Sequence, residues 1–346
     1  MHLLDAMAGR VRGGSGPARP GIGSAGVDCD PRHLRGTGFR GIRRYEYRSE
    51  AEGIMDCLRL ARAMTYKCAL AGLPAGGAKT VLLDDPDVDW KRGYRALGRT
   101  VERMAGRYYA GPDVGTRDVD LAQVVGETAF ATDPGPEGPG ELEACTAEGV
   151  FRGMQAALQH LDGDVDWPSR RVVIQGLGAV GWALAQRLMA AGAEVAGADM
   201  DPDRLQRAVD ELGIEGMDPN DVLGARCDVF APCAMGGLLH DLSLERLQAR
   251  VVAGAANNVL ARTLHGDRLH ARGVLYVPDF VLNSGALIRG AIFHLEGRRE
   301  PVSAIGDRVA GVVTAVLDAA RGSDSSPMRV ARRMAEERLQ HSRYPS

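Results

Sequence analysis

Lys67, Lys79 and Asp113 are the side chains in this sequence best suited to moving protons. The two lysines flank the run Gly72-Leu73-Pro74-Ala75-Gly76-Gly77, which stops a helix and then supplies a glycine pair. Asp113 follows Gly111-Pro112. A lysine acts as a base near neutral pH only where burial or a nearby cation lowers its pKa. Taken singly, lysines are mostly exposed and solvated, so this pair reads as chemical only in company. Gly76 and Gly77 let backbone pass close to a ligand.

A second constellation is Arg171-Val172-Val173-Ile174-Gln175-Gly176-Leu177-Gly178-Ala179-Val180-Gly181, a Gly-x-Gly-x-x-Gly placed after an apolar strand and opening a helix. Gly176 serves the tight turn, Gly178 admits a pyrophosphate to the backbone, and Gly181 permits close helix-to-strand packing; Leu177, Ala179 and Val180 complete the loop. The pyrophosphate then rests on free N–H groups at the helix N-terminus. The spacing alone is a weak signal. The next strand strengthens it by ending at Asp199, roughly 20 residues on, where a carboxylate binds both ribose hydroxyls. The plainer reading makes the glycines turn residues and Asp199 a helix cap. A carboxylate at 199, with Asp201 and Asp203 beside it, repels a 2′-phosphate, so NAD is expected rather than NADP.

These residues need elements to hold them. Ser49 and Glu52 form a capping box that opens a helix with Ile54, Leu58 and Ala61 on one face, stopped by Gly72 and Pro74. A short strand runs from Lys79 to Leu83, and a second helix from about Asp89 to Met104 ends at Gly106. Tyr108-Tyr109 reads as a strand leading into a turn at Gly111-Pro112-Asp113. Lys67 thus falls near a helix end, and Lys79 and Asp113 at junctions of loop and strand. Residues 132–140 form the clearest linker. Beyond it a long helix carries Val150, Met154, Ala157 and Leu158. Apolar strands at 172–174, 194–198, 228–230, 251–253 and 274–277, separated by helices, read as a parallel sheet covered on both faces. Met328 to Leu339 is a charged amphipathic helix.

A chain of 346 residues calls for two domains. Residues 1–40 are rich in Gly, Arg, Pro and Ser, lack periodicity, and are expected to be poorly ordered. Residues 41–135 read as a catalytic domain, 141–319 as a dinucleotide-binding domain, and 320–346 as a helix packing back on the first. A net charge of −3 gives no electrostatic case for a nucleic-acid partner. No apolar run approaches the ~20 residues that span a bilayer, and none follows the N-terminal arginines as in a secretory signal. The six cysteines lack a CxxC pair and read as reduced core residues; the eight histidines lack HxxxH or HxH spacing. A cytoplasmic, metal-free protein without membrane partners is expected.

The segment Met64-Thr65-Tyr66-Lys67-Cys68-Ala69-Leu70-Ala71-Gly72-Leu73-Pro74-Ala75-Gly76-Gly77-Ala78-Lys79 resembles the signature of the Glu/Leu/Phe/Val dehydrogenases. The resemblance continues, in order, through Asp113-Val114-Gly115-Thr116, Thr146-Ala147, Gly149-Val150, Ala231-Pro232-Cys233-Ala234, Ala256-Asn257-Asn258 and Pro278-Asp279-Phe280 with Asn283. It is strongest toward the shorter branch acting on leucine, valine or phenylalanine. It implies an N-terminal α/β catalytic domain, a C-terminal doubly wound Rossmann domain, and an active site in the cleft between them. It implies reversible, NAD-dependent oxidative deamination of an apolar L-amino acid (leucine, valine, isoleucine or phenylalanine) to the 2-oxo acid, ammonia and NADH. By this resemblance Lys79 activates the attacking water, Lys67 binds the substrate α-carboxylate, and Asp113 shuttles protons to and from the amino group. Phe39, Gly41, Met64 and Gly111 are its substrate contacts, and Thr146, Asn257 and Asn283 stand beside the nicotinamide. Relatives are homo-oligomers, and the same is implied here.

Two alternatives stand beside this reading: a glutamate-type dehydrogenase, against which the apolar ring of Phe39 argues, and an NAD-binding homologue that has lost turnover. The chain also departs from the family twice. Gly36-Thr37-Gly38-Phe39-Arg40-Gly41 replaces Gly-Pro-Ala-x-Gly-Gly, and Gly285-Ala286-Leu287-Ile288-Arg289 replaces Gly-Gly-x-Ile-Asn, with Arg289 near the expected hinge. For residues 1 to about 40 two origins are open, real divergence or translation from another frame. With one choice of codons, a one-base shift turns Arg35 to Arg40 into Ala-Gly-Pro-Ala-Phe.

Overall fold

In the computed structural model, which describes residues 38–234 and 236–341, strand β1 (Gly38–Tyr45) lies between β2 (Gly76–Leu83) and β3 (Tyr108–Pro112) in a parallel sheet. The two origins weighed for residues 1–37 concern a segment outside the described residues. Strand β1 begins at Gly38, inside the stretch 1–40 expected to be poorly ordered, so that boundary is corrected. Its arginines and glycines hide the strand in the sequence. Phe39 and Ile42 are its buried large apolar side chains, and sheet pairing on both edges satisfies its backbone. The register sets Gly41 opposite Lys79 on one side and Gly111 on the other.

Helix α1 (Glu50–Leu70) starts where Ser49 Oγ accepts the Glu52 N–H at 3.2 Å. Glu52 returns its bond to the N–H of Arg48 at 2.9 Å, one residue earlier than a standard capping box. Gly72, at φ +66°, then turns the chain back, and β2 starts at Gly76, three residues before the expected Lys79. A Cβ on Gly77 would lie 2.0 Å from the Thr65 nitrogen, so glycine lets β2 run tight against α1. That approach brings Lys67 and Lys79 to one place. Helices α2 (Trp90–Arg103) and α3 (Asp118–Val125) pack on this sheet around Ile42, Leu82, Tyr94, Leu97 and Leu121.

After the linker, α4 (Leu142–Asp162) leads into the second sheet: β4 (Arg171–Gln175), β5 (Glu194–Ala198), β6 (Glu215–Gly216), β7 (Cys227–Pro232), β8 (Ala249–Val252) and β9 (Leu275–Tyr276). All pairs are parallel, in the order β6-β5-β4-β7-β8-β9. The order reverses between β4 and β7, which opens a crevice at the strands' carboxyl ends. Val172, Val173 and Ile174 are wholly buried, as a sheet covered on both faces requires. The connecting helices are α5 (Ala179–Ala190), α6 (Pro202–Leu212), α7 (Asp241–Arg246) and α8 (Leu264–Ala271), followed by α9 (Asp279–Leu282) and α10 (Gly285–Glu296).

Helix α11 (Val302–Ser323) packs along α4, where a Cβ on Gly149 would lie 3.1 Å from Val309. Val150, Met154 and Leu158 are fully buried in this layer, each contributing about 1.5–3 kcal/mol. Helix α12 (Pro327–His341) returns to α1. Among the described residues no helix is long and apolar enough to cross a membrane, and five cysteines are free, four of them buried.

Candidate active site

Lys79 on β2, buried, points its amine at the half-buried Asp113 carboxylate beside Gly41. A Cβ on Gly41 would lie 2.6 Å from Lys79 Nζ and 3.0 Å from Asp113 Cβ. Glycine at that position is therefore a condition of the pair. Arg43 Nε donates to Asp113 at 3.3 Å and Arg43 Nη1 to Asp56 at 3.0 Å, while Tyr47 OH donates to Asp56 at 2.7 Å. Burial pushes Asp113 up, but Lys79 and Arg43 outweigh it and hold the carboxyl at about 2. For Lys79 burial wins: it lowers the amine's pKa, Arg43 adds to the effect, and Asp113 offsets only part.

Lys67, near the end of α1, is 6% exposed and donates from Nζ to Asn257 Oδ1 at 3.0 Å. Burial brings its pKa down to about 8 against the pull of Asp279. Asp279 is itself buried and pushed up by desolvation, although Lys67 opposes this. Its carboxylate accepts from Tyr276 OH at 3.1 Å and from the N–H of Asn258, which has φ +53°. Asp279 and Arg43 were not among the expected site residues. Asp279 is the lone acid in an apolar run, a signal that could have found it; Arg43 gives none outside its fold.

Asn283 Nδ2 donates to Ala255 O at 2.9 Å, Ala256 O at 3.3 Å and Asn257 Oδ1 at 2.9 Å. Its Oδ1 is buried with no partner among the described residues, free for an amide donor such as a carboxamide. Thr146 Oγ1 donates to Leu142 O at 3.1 Å and accepts the Ala286 N–H at 3.2 Å. In the glycine turn, Gly176 has φ +98°, and a Cβ on Gly181 would lie 2.0 Å from Gly176 O. At Gly178 a Cβ would meet nothing within 4 Å. The open backbone at Gly178, on the N-terminus of α5, fits a dinucleotide pyrophosphate. Asp199 is not a helix cap, because Asp201 caps α6. Asp199 instead accepts the N–H groups of Leu177 at 2.7 Å and Asp201 at 2.9 Å, which fixes a carboxylate at the end of β5 beside the turn.

One cavity of about 270 Å³ gathers Lys67, Lys79, Asp113, Thr146, Asn257 and Asn283. Phe39, Gly41, Met64 and Gly111 line it too. Of the glycine loop only Val180 reaches its wall; Gly176, Leu177, Gly178, Ala179, Gly181 and Asp199 lie outside it. Tyr109, Leu142 and Leu287 add an apolar wall that the sequence had not marked. Phe39 and Tyr109 stack with centroids 5.5 Å apart, and His294 lies 4.5 Å from Tyr109. Burial holds the His294 imidazole at about 4, hence neutral.

Arg289 is buried and grips the linker: Nε donates to Pro139 O at 2.7 Å, Nη2 to Glu141 at 3.1 Å, and Nη1 to Glu300 O. Arg299 holds the same segment through Gly138 O at 2.9 Å.

Residues 32–130 match the family model for the Glu/Leu/Phe/Val dehydrogenase dimerisation domain, and residues 203–294 match that for Glutamate/Leucine/Phenylalanine/Valine dehydrogenase. The chain is 39% identical to leucine dehydrogenase from Geobacillus stearothermophilus over 308 residues, 88% of this chain and 84% of that protein. It is 38% identical to valine dehydrogenase from Streptomyces coelicolor over 324 residues, 89% of this chain and 86% of that one. The crystal structure of L-tryptophan dehydrogenase from Nostoc punctiforme superposes with a TM-score of 0.77 at 31% identity, covering 93% of this chain and 92% of that chain.

Proposed function

The chain belongs to the Glu/Leu/Phe/Val dehydrogenase family, and from that premise we propose that it deaminates an apolar L-amino acid oxidatively and reversibly with NAD, giving the 2-oxo acid, ammonia and NADH. The observation that carries this reading is the meeting of Lys67, Lys79 and Asp113 in one cavity that the Asn257–Asn283 pair also lines. NAD is favoured over NADP by the carboxylate of Asp199 beside the glycine turn.

Lys67, positioned by Asn257, pairs with the substrate α-carboxylate. The Asp113 carboxylate, ionised at neutral pH, takes a proton from the substrate ammonium. When bound, the nicotinamide supplies the acceptor for the hydride leaving Cα. Lys79, its pKa lowered by burial, then removes a proton from the water that adds to the iminium carbon. Asp113 then returns a proton to nitrogen, the C–N bond breaks as the carbinol hydroxyl passes its proton to the departing ammonia, and Lys79 gives up the proton it took to solvent. The buried walls limit water to the reacting molecule. Phe39, Tyr109, Leu142 and Leu287 suit an apolar substrate side chain.

Self-association is also proposed, because residues 32–130 match a dimerisation domain. The deciding experiment follows NADH formation with leucine, valine, phenylalanine and glutamate. Turnover of the apolar amino acids ahead of glutamate is expected. Faster glutamate turnover would overturn the substrate assignment, and dinucleotide binding without any turnover would favour the impaired homologue.

A further inference from the structure

We propose that a second crevice, walled by α1, the loop 258–263 and α12, binds a phosphate-bearing small molecule. The crevice has a volume of about 300 Å³, on the order of ten waters at ~30 Å³ each, enough for a phosphate or pyrophosphate group. Four arginines from three separate elements line it: Arg59 and Arg62 from α1, Arg262 from the loop, and Arg332 from α12. Asp279 is the one acid on its wall, and it already accepts from Tyr276 and Asn258. Arg62 pairs with Glu336 at 3.3 Å, and Glu336 also accepts Tyr66 OH at 2.6 Å. Arg332 reaches a neutral partner, Thr263 Oγ1, at 2.9 Å. Among the described residues no carboxylate lies within ion-pair distance of Arg59, Arg262 or Arg332.

Converging guanidinium groups in a concavity repel one another unless an anion sits between them. Their planar forks match phosphate oxygens two at a time, with a strength that single ammonium groups do not reach. In the adjoining groove Arg329 and Arg333 are already paired, with Asp267 at 2.6 Å and Glu337 at 3.8 Å, which leaves the four arginines of the crevice as the anion-binding set. The chain carries a net charge of −3, which favours a small ligand in this hollow over a nucleic acid. Asp279 lines this crevice and also acts on Lys67, and Ala63 lines both this crevice and the cavity of Lys67, so an occupant would sit against the back of the substrate site.

The test uses the full chain saturated with NADH, which blocks the dinucleotide crevice, at ionic strength fixed with sodium chloride. Calorimetric titrations with inorganic phosphate, pyrophosphate and ADP give the affinities. Saturable one-site binding is expected, weakened by about tenfold or more in Arg59→Ala/Arg262→Ala and partly restored in Arg59→Lys/Arg262→Lys. Both arginines are exposed, so the variants should fold and keep the parent kcat with leucine. Tighter binding of ADP than of phosphate would identify a nucleotide, and equal binding a free phosphate; either supports the site. No saturable binding, or unchanged affinity in the alanine double variant, overturns it. Because turnover is measured in the same preparations, failure here is distinguishable from failure of the dehydrogenase reading.

Discussion

Lys67 of α1 and Asn257 after β8 are joined by a 3.0 Å hydrogen bond that spans the cleft between the two sheets. The same Asn257 oxygen receives Asn283 Nδ2 at 2.9 Å. The lysine proposed to hold substrate is therefore positioned by the half of the molecule proposed to hold the cofactor. The two halves are thus tied together at the reacting centre as well as where α1 meets α12.

Replacing Lys79 with alanine should lower kcat by ~10²–10⁴-fold, the usual loss for a positioned base. NADH binding should survive, since Lys79 lies on β2 and not in the second sheet. Steady-state kinetics beside a fluorescence titration of NADH checks both. A variant that keeps most of its turnover would remove Lys79 from the mechanism.

The pH profile should have two limbs of opposite sign. Lys79 must be neutral to accept a proton, so activity rises with pH as this amine, lowered first by burial and then by Arg43, deprotonates below its ordinary 10.5. Lys67 must be charged to hold a carboxylate, so kcat/KM falls as pH climbs through about 8. A bound carboxylate stabilises the Lys67 cation, which moves the falling limb of kcat to higher pH than that of kcat/KM. Coincident falling limbs would count against the role given to Lys67.

Gly41→Ala places a methyl 2.6 Å from Lys79 Nζ. The Lys79–Asp113 pair must shift, and a displacement of about 1 Å at a reacting group lowers the rate by ~10²-fold. The expected signature is a fallen kcat with little change in thermal midpoint or NADH affinity. Unimpaired turnover would show that the pair tolerates rearrangement.

Asp199 predicts a higher kcat/KM with NAD than with NADP, measured with one amino acid under one set of conditions. Its two oxygens already hold the N–H groups of Leu177 and Asp201, so the carboxylate cannot easily swing away from a 2′-phosphate. Equal values for the two cofactors would refute the assignment.

Arg289→Met should destabilise the protein by about 1–3 kcal/mol, because it leaves the buried carbonyl of Pro139 without its donor. Denaturant unfolding checks this. An unchanged midpoint would mean that water or Arg299 replaces the guanidinium.

What the sequence revealed depended on how locally each feature is determined. The glycine turn, the alternation around it and the capped start of α1 rest on neighbouring residues, and they were legible. Strand β1 was not, because its placement depends on β2 and β3, which flank it, and its arginines mask its periodicity. Lys67, Lys79 and Asp113 were found through a shared motif, whereas Arg43 and the Tyr109–His294 contact arise only when distant segments pack. Arg289 was placed near a hinge, but its grip on Pro139 involves a partner 150 positions away.

Among the described residues helix α12 is the last element, yet it rests on α1. Tyr66 donates to Glu336 at 2.6 Å, and Arg338 reaches Leu70 O at 2.7 Å. During synthesis the dinucleotide half can therefore close while that flank of α1 still waits for its cover. Synthesis stopped before Pro327 would release a chain with a finished glycine turn and a bare strip along α1. Chaperones and proteases would meet that strip first, so truncation before Pro327 should reduce the amount of protein more than it alters affinity for a dinucleotide.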